Sequence, residues 1–492
     1  MGANGQLLNY INGEWRQSEA SEMLDVINPA TNEALTAVPL SPAAEIDAAT
    51  AAATAAHDKW KRVPVGERIQ YLFKFKTLLD ENIDRLARAI THECGKTFAE
   101  SKGEIRRGIE NVEVACGAPI MMQGRNNEDI ARGIDEHMIR QSIGVVAAIT
   151  PFNFPVMIPL WFLPYAVATG NCFIHKPSEK VPMNTQILFE LIEEAGFPKG
   201  VVQLVNGGKE TVNAILDHPD IRAISFVGSS AVAKYIYSRA TANGKRAQCQ
   251  GGAKNPVVIM PDADMDTTIN IMADAAFGCA GQRCLSIATA ITVGNARAAI
   301  AEGMSEAAAS YKLGFGLDEG TQMGPVITPE SKIRIEGLIA QGEAEGAKVL
   351  VDGRNQTISG YENGNFVSPT LLENVSPDGS LAHTEIFGPV LSLTHANTVE
   401  DALKIVNDRN YGNGASIFTR NGATARQFRY EADAGNIGIN VAVPAAMAYF
   451  PFSGWNDSFY GDLHAQGAHA IEFYTQTKVI VERWPQEWSR KF

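Results

Sequence analysis

Cysteine is scarce in this chain, which has six cysteines among 492 residues. A disulfide scaffold needs a far higher density, so we expect free thiols. Two of the six, Cys279 and Cys284, stand close together in GCAGQRCL, residues 278–285. Zinc is excluded there because no nearby Cys-x-x-Cys or histidine pair supplies further ligands. We expect no metal site.

Basic residues are also too few for one class of partner. The chain has 42 lysines and arginines against 55 aspartates and glutamates, which gives a formal net charge of -13. Nucleic-acid binding needs a broad basic surface that displaces counterions from phosphates, so this class is excluded. Any anionic ligand must be held by a few local cations.

A secretion signal is not recognisable, since the opening residues MGANGQLLNYINGEW lack a basic stretch followed by an apolar run. We therefore expect a cytoplasmic protein with no membrane partner. One stretch, residues 144–174, carries no charged side chain and is long enough to span a bilayer. Its four prolines and Asn153 disfavour a continuous helix and favour a buried strand, a turn and a helix.

What the chain has in abundance is an alternation of β-rich and helical segments. Over residues 145–250, VVAAIT, NCFIHK, VVQLV and IRAISFV alternate with helical patterns, which is typical of a parallel sheet covered by helices. Helical patterns precede this block, and a second α/β block covers residues 256–445. Residues 135–144 and 473–484 alternate like exposed strands, whose edges favour pairing with another subunit.

Two local patterns suggest chemistry. Arg283 stands beside Cys284, and its positive charge is expected to favour the thiolate. Asn153, in TPFNFP, lies where a strand ends and a helix begins, so its amide can donate to a developing oxyanion. Each residue alone also has a structural reading, because free cysteines are commonly buried and asparagine commonly caps helices.

Six motifs in the chain carry a family resemblance: TPFNFP, HKPSE, SFVGSS, GGAKNP, FGCAGQRC and EIFGPV. They resemble motifs of the aldehyde dehydrogenase superfamily, and the resemblance covers nearly the whole chain. It implies an α/β fold of three parts: a variant Rossmann domain that binds NAD, an α/β catalytic domain, and a small β arm that joins subunits into a dimer or tetramer. The parts would cover residues 1–124 with 145–252, residues 253–446, and residues 125–144 with 467–492, respectively.

The resemblance also implies roles for individual residues. Cys284 attacks the aldehyde carbon, the Asn153 amide and the Cys284 backbone N–H hold the oxyanion, and hydride transfer to NAD leaves a thioester. Cys279 is expected to be a small packing residue. Glu179 would accept from a ribose 2′-hydroxyl, which favours NAD over NADP, and Ser229 begins a helix suited to a pyrophosphate. The implied cofactor-binding residues are Thr150, Phe152, Lys176, Glu179, Ser229, Gly251, Glu385 and Phe387.

One position departs from the hydrolytic members of the superfamily. Gln250 stands where they have the glutamate that activates water, and an amide cannot take a proton at neutral pH. Coenzyme A needs no such base, because its thiol can attack the thioester directly. Several stretches, such as RGIENVEVACG, SFYGD and FYTQTK, resemble CoA-dependent methylmalonate-semialdehyde dehydrogenases. The alternative is a hydrolytic enzyme for another small anionic aldehyde, including a sulfonated one.

That resemblance implies a two-arginine clamp for the substrate carboxylate. Arg107 and Arg283 match the implicated positions, and arginine offers a planar two-point hydrogen-bonding fork. The alternative for Arg107 is an ion pair with Glu104 or Glu110 on its own helix. Arg106 would replace it if the helix were rotated. Pro256, Ala233 and the stretch GDLHAQGAHA depart from the expected pattern and leave the exact substrate open.

Overall fold

The computed structural model describes residues 5–484. The strands run, in chain order, over β1 Asn9–Ile11, β2 Glu14–Arg16, β3 Met23–Ile27, β4 Ala34–Pro39, β5 Arg125–Ala131, β6 Ile134–Ser142, β7 Val145–Ile149, β8 Cys172–Lys176, β9 Val202–Leu204, β10 Ile221–Val227, β11 Arg246–Gln250, β12 Asn255–Ile259, β13 Ile287–Val293, β14 Lys348–Val351, β15 Thr370–Glu373, β16 Val390–Ala396, β17 Tyr411–Gly412, β18 Gly414–Phe418, β19 Asn436–Ile439, β20 Trp455–Asn456, β21 Phe459–Tyr460 and β22 Thr475–Arg483.

The helices alternate with these strands along most of the chain. In chain order they are α1 Ala43–Trp60, α2 Val65–Glu81, α3 Ile83–Cys94, α4 Phe98–Ala115, α5 Ala118–Met121, α6 Met157–Leu160, α7 Leu163–Ala168, α8 Met183–Ala195, α9 Lys209–Asp217, α10 Ser230–Ala242, α11 Met265–Phe277, α12 Ala296–Ser310, α13 Pro329–Ala344, α14 Ser380–His383, α15 Val399–Asn407, α16 Gly422–Glu431 and α17 Gly467–Phe473.

The first sheet has eight strands in the order β2-β1-β9-β8-β7-β10-β11-β21. The five inner strands are β9, β8, β7, β10 and β11, and they pair in parallel. The outer pairs, β2 with β1, β1 with β9 and β11 with β21, are antiparallel. The predicted strands of residues 145–250 are confirmed as β7 to β10. Strands β7 and β8 are buried throughout, as the apolar runs of a covered parallel sheet should be.

The uncharged stretch of residues 144–174 forms β7, a turn, the short helices α6 and α7, and the start of β8. Its prolines prevent one continuous helix: α6 has four residues, and the six-residue α7 begins anew with Pro164 in its first turn. Among residues 5–484, the structure contains no helix long and apolar enough to cross a membrane.

The second sheet has seven strands in the order β14-β15-β16-β13-β12-β18-β19. All of them lie between residues 255 and 439, and every pairing except that of β14 with β15 is parallel. Each sheet is packed against its own helices by a separate large apolar core. The chain passes directly from β11 in one sheet to β12 in the other through residues 251–254.

The predicted amino-terminal helices are confirmed, but they begin at other residues than the sequence pattern indicates. Helix α1 begins after Pro42 and α2 after Pro64, since proline lacks the N–H that a first turn leaves unpaired. The predicted helical stretch that follows residue 66 divides at Asn82 into α2 and α3. Helix α1 packs on β7 and β8 of the first sheet, whereas α2 and α3 pack mainly on α4 and α8, and all three belong to the same core.

The two predicted strands are confirmed as β6 and β22; β22 is mostly exposed, as predicted, whereas β6 is mostly half-buried. They pair antiparallel with each other over nine residues, and β5 completes a three-stranded sheet separate from the eight-stranded and seven-stranded sheets. All of β5 is exposed, and so are Val479 and Val481 on β22. The predicted arm also included residues 485–492, which lie outside the described residues. Pairing with another subunit stays a prediction.

Candidate active site

A strained turn precedes Cys284. Gly278–Gly281 forms a 3₁₀ turn after α11, in which Cys279 and Ala280 have φ values of 51° and 52°. Gly281 follows with φ of 70°, and a Cβ there would lie 2.0 Å from the carbonyl oxygen of Gly388. Non-glycine residues in this left-handed region cost about 1–3 kcal/mol each and persist where surrounding contacts impose them. We call Gly278–Gly281 the thiol turn.

The backbone of Cys284 is held from two sides. The side-chain amide of Asn255 donates to its carbonyl oxygen at 2.8 Å, and that of Asn413 donates to the same oxygen at 2.9 Å. Asn255 lies in the GGAKNP motif, but neither residue was predicted as part of the site. The signal for Asn255 was its motif, whereas nothing in the local pattern around Asn413 indicates this contact.

The thiol of Cys284 lies partly buried in a small pocket of about 20 Å³. Glu385, Phe387 and Arg283 also line this thiol pocket. Burial, and then the Glu385 carboxylate, raise the pKa of Cys284 to about 12. The resting group is therefore a thiol, and the expectation that Arg283 favours its thiolate is wrong.

Asn153 lies against the segment that carries Cys284. Only 4% of its surface is exposed, and its Nδ2 donates to the carbonyl oxygen of Gln282 at 3.0 Å. A side-chain amide nitrogen has two hydrogens, so one remains for another acceptor. The structure thus places an available amide N–H close to the segment that carries Cys284.

The two arginines of the predicted clamp are both already paired. Arg283 contacts Glu100 at 3.2 Å and Asp274 at 3.3 Å, and its Nε donates to the Cys279 sulfur at 3.3 Å. Cys279 is buried, as expected for a packing residue. The Arg283 guanidinium therefore contacts the Cys279 sulfur and two carboxylates.

Arg107 pairs with Glu110 at 2.6 Å, which is the alternative considered from the sequence. Its other contacts are the carbonyl oxygen of Ala446 at 2.7 Å and the Met447 sulfur. Arg106 is exposed, so Arg107 is the arginine that faces the 446–447 segment. The Arg107–Glu110 pair is about one-third exposed, and such pairs are commonly worth about 0–1 kcal/mol. The pair therefore contributes little to stability.

A larger cleft of about 740 Å³ lies beside the first sheet, where β7, β8 and β10 end. We call it the α10 cleft, because the start of α10 forms one wall. Five of the predicted cofactor residues line it: Thr150, Phe152, Lys176, Glu179 and Ser229. Lys176 and Glu179 form an ion pair of 3.2 Å, which helps to lower the pKa of Glu179 against the effect of burial.

The other three predicted cofactor residues lie elsewhere. Glu385 and Phe387 line the thiol pocket, and the Phe387 ring meets Phe152 edge to face with centroids 5.9 Å apart. This contact joins the thiol pocket to the α10 cleft. Gly251 lines neither, and a Cβ on it would lie 2.6 Å from the Asp457 carbonyl oxygen. Its contribution is close backbone packing beside the site.

Glu385 sits against the glycine-rich link between the sheets. Its Oε1 accepts from the Ala253 N–H at 2.8 Å, and a Cβ on Gly252 would collide with the carboxylate. Burial raises the pKa of Glu385 to about 7. Gln250, at the end of β11, is also buried, and its Nε2 finds no hydrogen-bond partner among residues 5–484. Position 250 therefore presents a buried amide and no carboxylate.

Comparison with models of known protein families identifies the family of this chain. The model of the aldehyde dehydrogenase family matches residues 15–480. The chain belongs to the aldehyde dehydrogenase family. The strained thiol turn, the asparagine amide and the α10 cleft are thus features of a family member, as the six motifs predicted.

Individual relatives are similar over almost their full length. Malonate-semialdehyde dehydrogenase of Halalkalibacterium halodurans is 46% identical over 97% of this chain and 98% of its own. The crystal structure of methylmalonate-semialdehyde dehydrogenase from Oceanimonas doudoroffii superposes with a TM-score of 0.97 at 43% identity, covering 99% of this chain and 100% of that one. A structure from Sinorhizobium meliloti 1021, complexed with NAD, gives a TM-score of 0.96 at 43% identity and covers 99% of both chains. The aldehyde dehydrogenase fold is therefore confirmed.

Proposed function

We propose that this chain oxidises malonate or methylmalonate semialdehyde with NAD, through a thioester on Cys284, and passes the acyl group to coenzyme A. The observation that carries most weight is the near-full-length similarity to enzymes named for these two substrates. Gln250 supports the choice of acyl acceptor, because it offers no base for water.

The α10 cleft fits a dinucleotide. Helix α10 has thirteen residues, and the Ser229 side chain makes no capping hydrogen bond within the described chain, so first-turn N–H groups are available to a pyrophosphate. The Glu179 carboxylate suits ribose hydroxyls and repels a 2′-phosphate. We assign Thr150, Phe152 and Lys176 to the same ligand, Glu385 and Phe387 to its nicotinamide end, and Gly251 to close packing beside it. NAD, when bound, supplies the hydride acceptor.

The residues of the thiol pocket account for the covalent steps. Cys284 adds to the aldehyde carbon as a thiol, and its proton passes to solvent water as the carbon–sulfur bond forms. The free N–H of the Asn153 amide and the Cys284 backbone N–H hold the oxyanion. Loss of hydride leaves a thioester on Cys284. Transfer of the acyl group to the thiol of coenzyme A exchanges one thioester for another and frees Cys284.

A carboxylate on the substrate needs a cation near the thiol pocket. We assign this role first to Arg107, whose exposed pair with Glu110 opens at little cost. Arg283 is the second member of the predicted clamp. Arg283 lines the thiol pocket, but its pairs with Glu100 and Asp274 leave its side chain only 16% exposed, so it contributes positive charge more readily than a two-point contact.

For the whole chain, we propose the division inferred from the sequence. Residues 1–124 and 145–252 would form the NAD-binding domain, residues 253–446 the catalytic domain, and residues 125–144 with 467–492 an arm that joins subunits into a dimer or tetramer. The separate sheet of β5, β6 and β22, with its exposed edge, supports the arm.

The acyl acceptor is tested by product analysis. Enzyme, NAD and malonate semialdehyde are incubated with and without coenzyme A, and products are identified by mass spectrometry. We expect an acyl-CoA as the product and only a single turnover of NADH when coenzyme A is omitted. Steady release of free acid without coenzyme A would contradict the proposal. Gln250→Glu is expected to increase that CoA-independent release by restoring a base for water.

A further inference from the structure

Helix α4 carries two glutamates four residues apart, Glu100 and Glu104, which therefore lie on one face of the helix. They bind different segments of the candidate active site. Glu100 contacts the thiol turn, and Glu104 contacts residues 153–157, which we call the asparagine loop. One rigid element thus touches both halves of the site.

The contact of Glu104 with the asparagine loop is fully buried. Its Oε1 accepts from the backbone N–H groups of Val156 and Met157 at 2.8 and 3.1 Å. Its Oε2 forms an ion pair of 2.7 Å with Lys96, and these side chains are 0% and 2% exposed, respectively. The same Lys96 ammonium donates to the carbonyl oxygen of Asn153. The Lys96–Glu104 ion pair therefore binds the asparagine loop at its first residue, Asn153, and at its last two residues, Val156 and Met157.

Two further contacts fix the asparagine loop against this ion pair. The Lys96 ammonium lies 4.1 Å from the centroid of the Phe154 ring. On α4 itself, a Cβ on Gly108 would lie 3.3 Å from the Met157 Cα, so the helix packs closely on the loop. The loop is thus held by charge, hydrogen bonds and packing at once.

Glu100 fixes the thiol turn to the same helix. Its Oε1 accepts from the Cys279 N–H at 2.6 Å and from Arg283 at 3.2 Å. Its Oε2 accepts from the Thr97 N–H at 2.9 Å, which completes the capping box at the start of α4. The Glu100 carboxylate therefore binds both the first turn of α4 and the thiol turn that precedes Cys284.

Stability alone is a weak explanation for Lys96 and Glu104. Desolvation of two buried charges offsets much of their attraction, and apolar residues of similar volume are often as stabilising or more so. What apolar residues cannot do is hold the Asn153 carbonyl oxygen and two backbone N–H groups in place. That capacity matters where a misplacement of about 1 Å lowers a rate by about 100-fold.

We propose that Lys96 and Glu104 are positioning residues that set the Asn153 amide at its working distance from Cys284. Helix α4 is the common reference, because Glu100 holds the thiol turn to it. Neither Lys96 nor Glu104 touches the reacting atoms. The inference rests on the proposed function, in which Asn153 holds the oxyanion.

The test is a double-mutant cycle of Glu104→Gln with Asn153→Ala, read as the rate constant of NADH formation in a single turnover. Asn153→Ala is expected to lower it by about 100- to 1000-fold, as for loss of one oxyanion donor. Glu104→Gln should lower it by about 10- to 100-fold with little change in KM. In the Asn153→Ala background, Glu104→Gln should have almost no further effect, because the amide it positions is gone.

A second readout does not depend on activity. Glu104→Gln should increase hydrogen exchange at the Val156 and Met157 amides, measured by mass spectrometry on the NAD-free protein. Glu93→Gln is the matched control. Glu93 is also a fully buried carboxylate that accepts from two consecutive backbone N–H groups, those of Met183 and Asn184, but at the start of α8. It should leave the single-turnover rate within about 2-fold.

The possible results distinguish the role of Asn153 from the positioning role of Lys96 and Glu104. If Asn153→Ala leaves the rate unchanged, the proposed role of Asn153 fails, and the inference fails with it. If Asn153→Ala lowers the rate but the two effects multiply, or Glu104→Gln has no effect, the positioning role alone is overturned. If Glu104→Gln does not fold, Lys96→Met with Glu104→Leu replaces the charges by apolar groups and must show the same rate loss in a folded protein.

Discussion

The α10 cleft and the thiol pocket differ first in size, about 740 Å³ against about 20 Å³. They also differ in construction. The cleft is formed where regular strands end and a helix begins, whereas the pocket is formed by left-handed residues and by contacts between distant segments. Regular strand ends and a helix start are therefore enough to form a cleft for a dinucleotide. The reaction at Cys284 depends instead on an irregular backbone that many contacts hold in place. Variants of the two regions should therefore affect binding and chemistry separately.

The largest effect is expected from removal of the nucleophile. Cys284→Ser should lower the rate of NADH formation by at least about 1000-fold, because a hydroxyl without a base is a poor nucleophile. NAD binding to the α10 cleft, measured by fluorescence titration, should stay within about 2-fold. Cys279→Ser is the matched control at the buried neighbour and should retain most of the rate. Similar losses in both variants would mean that Cys284 is not the reacting thiol.

The next largest effect concerns the reactivity of the resting thiol. The pKa of Cys284 is raised to about 12, so its thiolate fraction should increase about tenfold per pH unit across neutral and mildly alkaline pH. Alkylation of the NAD-free enzyme by iodoacetamide should therefore accelerate about 100-fold between pH 7 and pH 9. A rate that reaches a plateau below pH 8 would show that the thiol is already activated in this state.

The third effect concerns Arg107, the arginine proposed to bind the substrate carboxylate. Arg107→Leu should lower kcat/KM for malonate semialdehyde by about 10- to 100-fold, since one hydrogen bond to a charged group is worth about 1.5–3 kcal/mol. Its kcat/KM for propionaldehyde, which lacks the carboxylate, should change little. Arg106→Leu, at the exposed neighbouring position, is the control. Equal losses for both aldehydes would point to a structural role for Arg107.

The smallest effect is expected in the α10 cleft. Glu179→Gln should weaken NAD binding by about 10-fold and reduce the preference for NAD over NADP, because one charged hydrogen bond to a ribose is lost. Alkylation of Cys284 should not change. Glu400→Gln, an exposed carboxylate on α15, serves as the control. Unaltered discrimination between the two dinucleotides would remove Glu179 from the proposed site.

The same contrast explains what the sequence predicts. Strands β7, β8 and β10 follow from β-rich segments that alternate with helices, and the residues at their ends line the α10 cleft as expected. The meeting of Asn153 with the Cys284 segment follows from the motifs. Long-range polar contacts do not follow, because nothing local marks a side chain such as Asn413 as a partner of Cys284, 129 residues away in the chain.

Charged residues are the least predictable part of the site. Lys96 and Glu104 look like an ordinary helix-start lysine and a helix-face glutamate, yet both are buried at the asparagine loop. Arg283 was expected to act on Cys284 because it is adjacent in sequence. Its guanidinium instead reaches Cys279, Glu100 and Asp274, since the thiol turn redirects the chain between the two cysteines.

The central claim is that a semialdehyde becomes a thioester on Cys284 that only coenzyme A removes efficiently. Intact-protein mass spectrometry tests it directly after enzyme is mixed with NAD and malonate semialdehyde without coenzyme A. The account predicts an acyl adduct on Cys284 that persists over minutes and disappears when coenzyme A is added, with one acyl-CoA formed per adduct. Absence of an adduct during steady formation of free acid would contradict it.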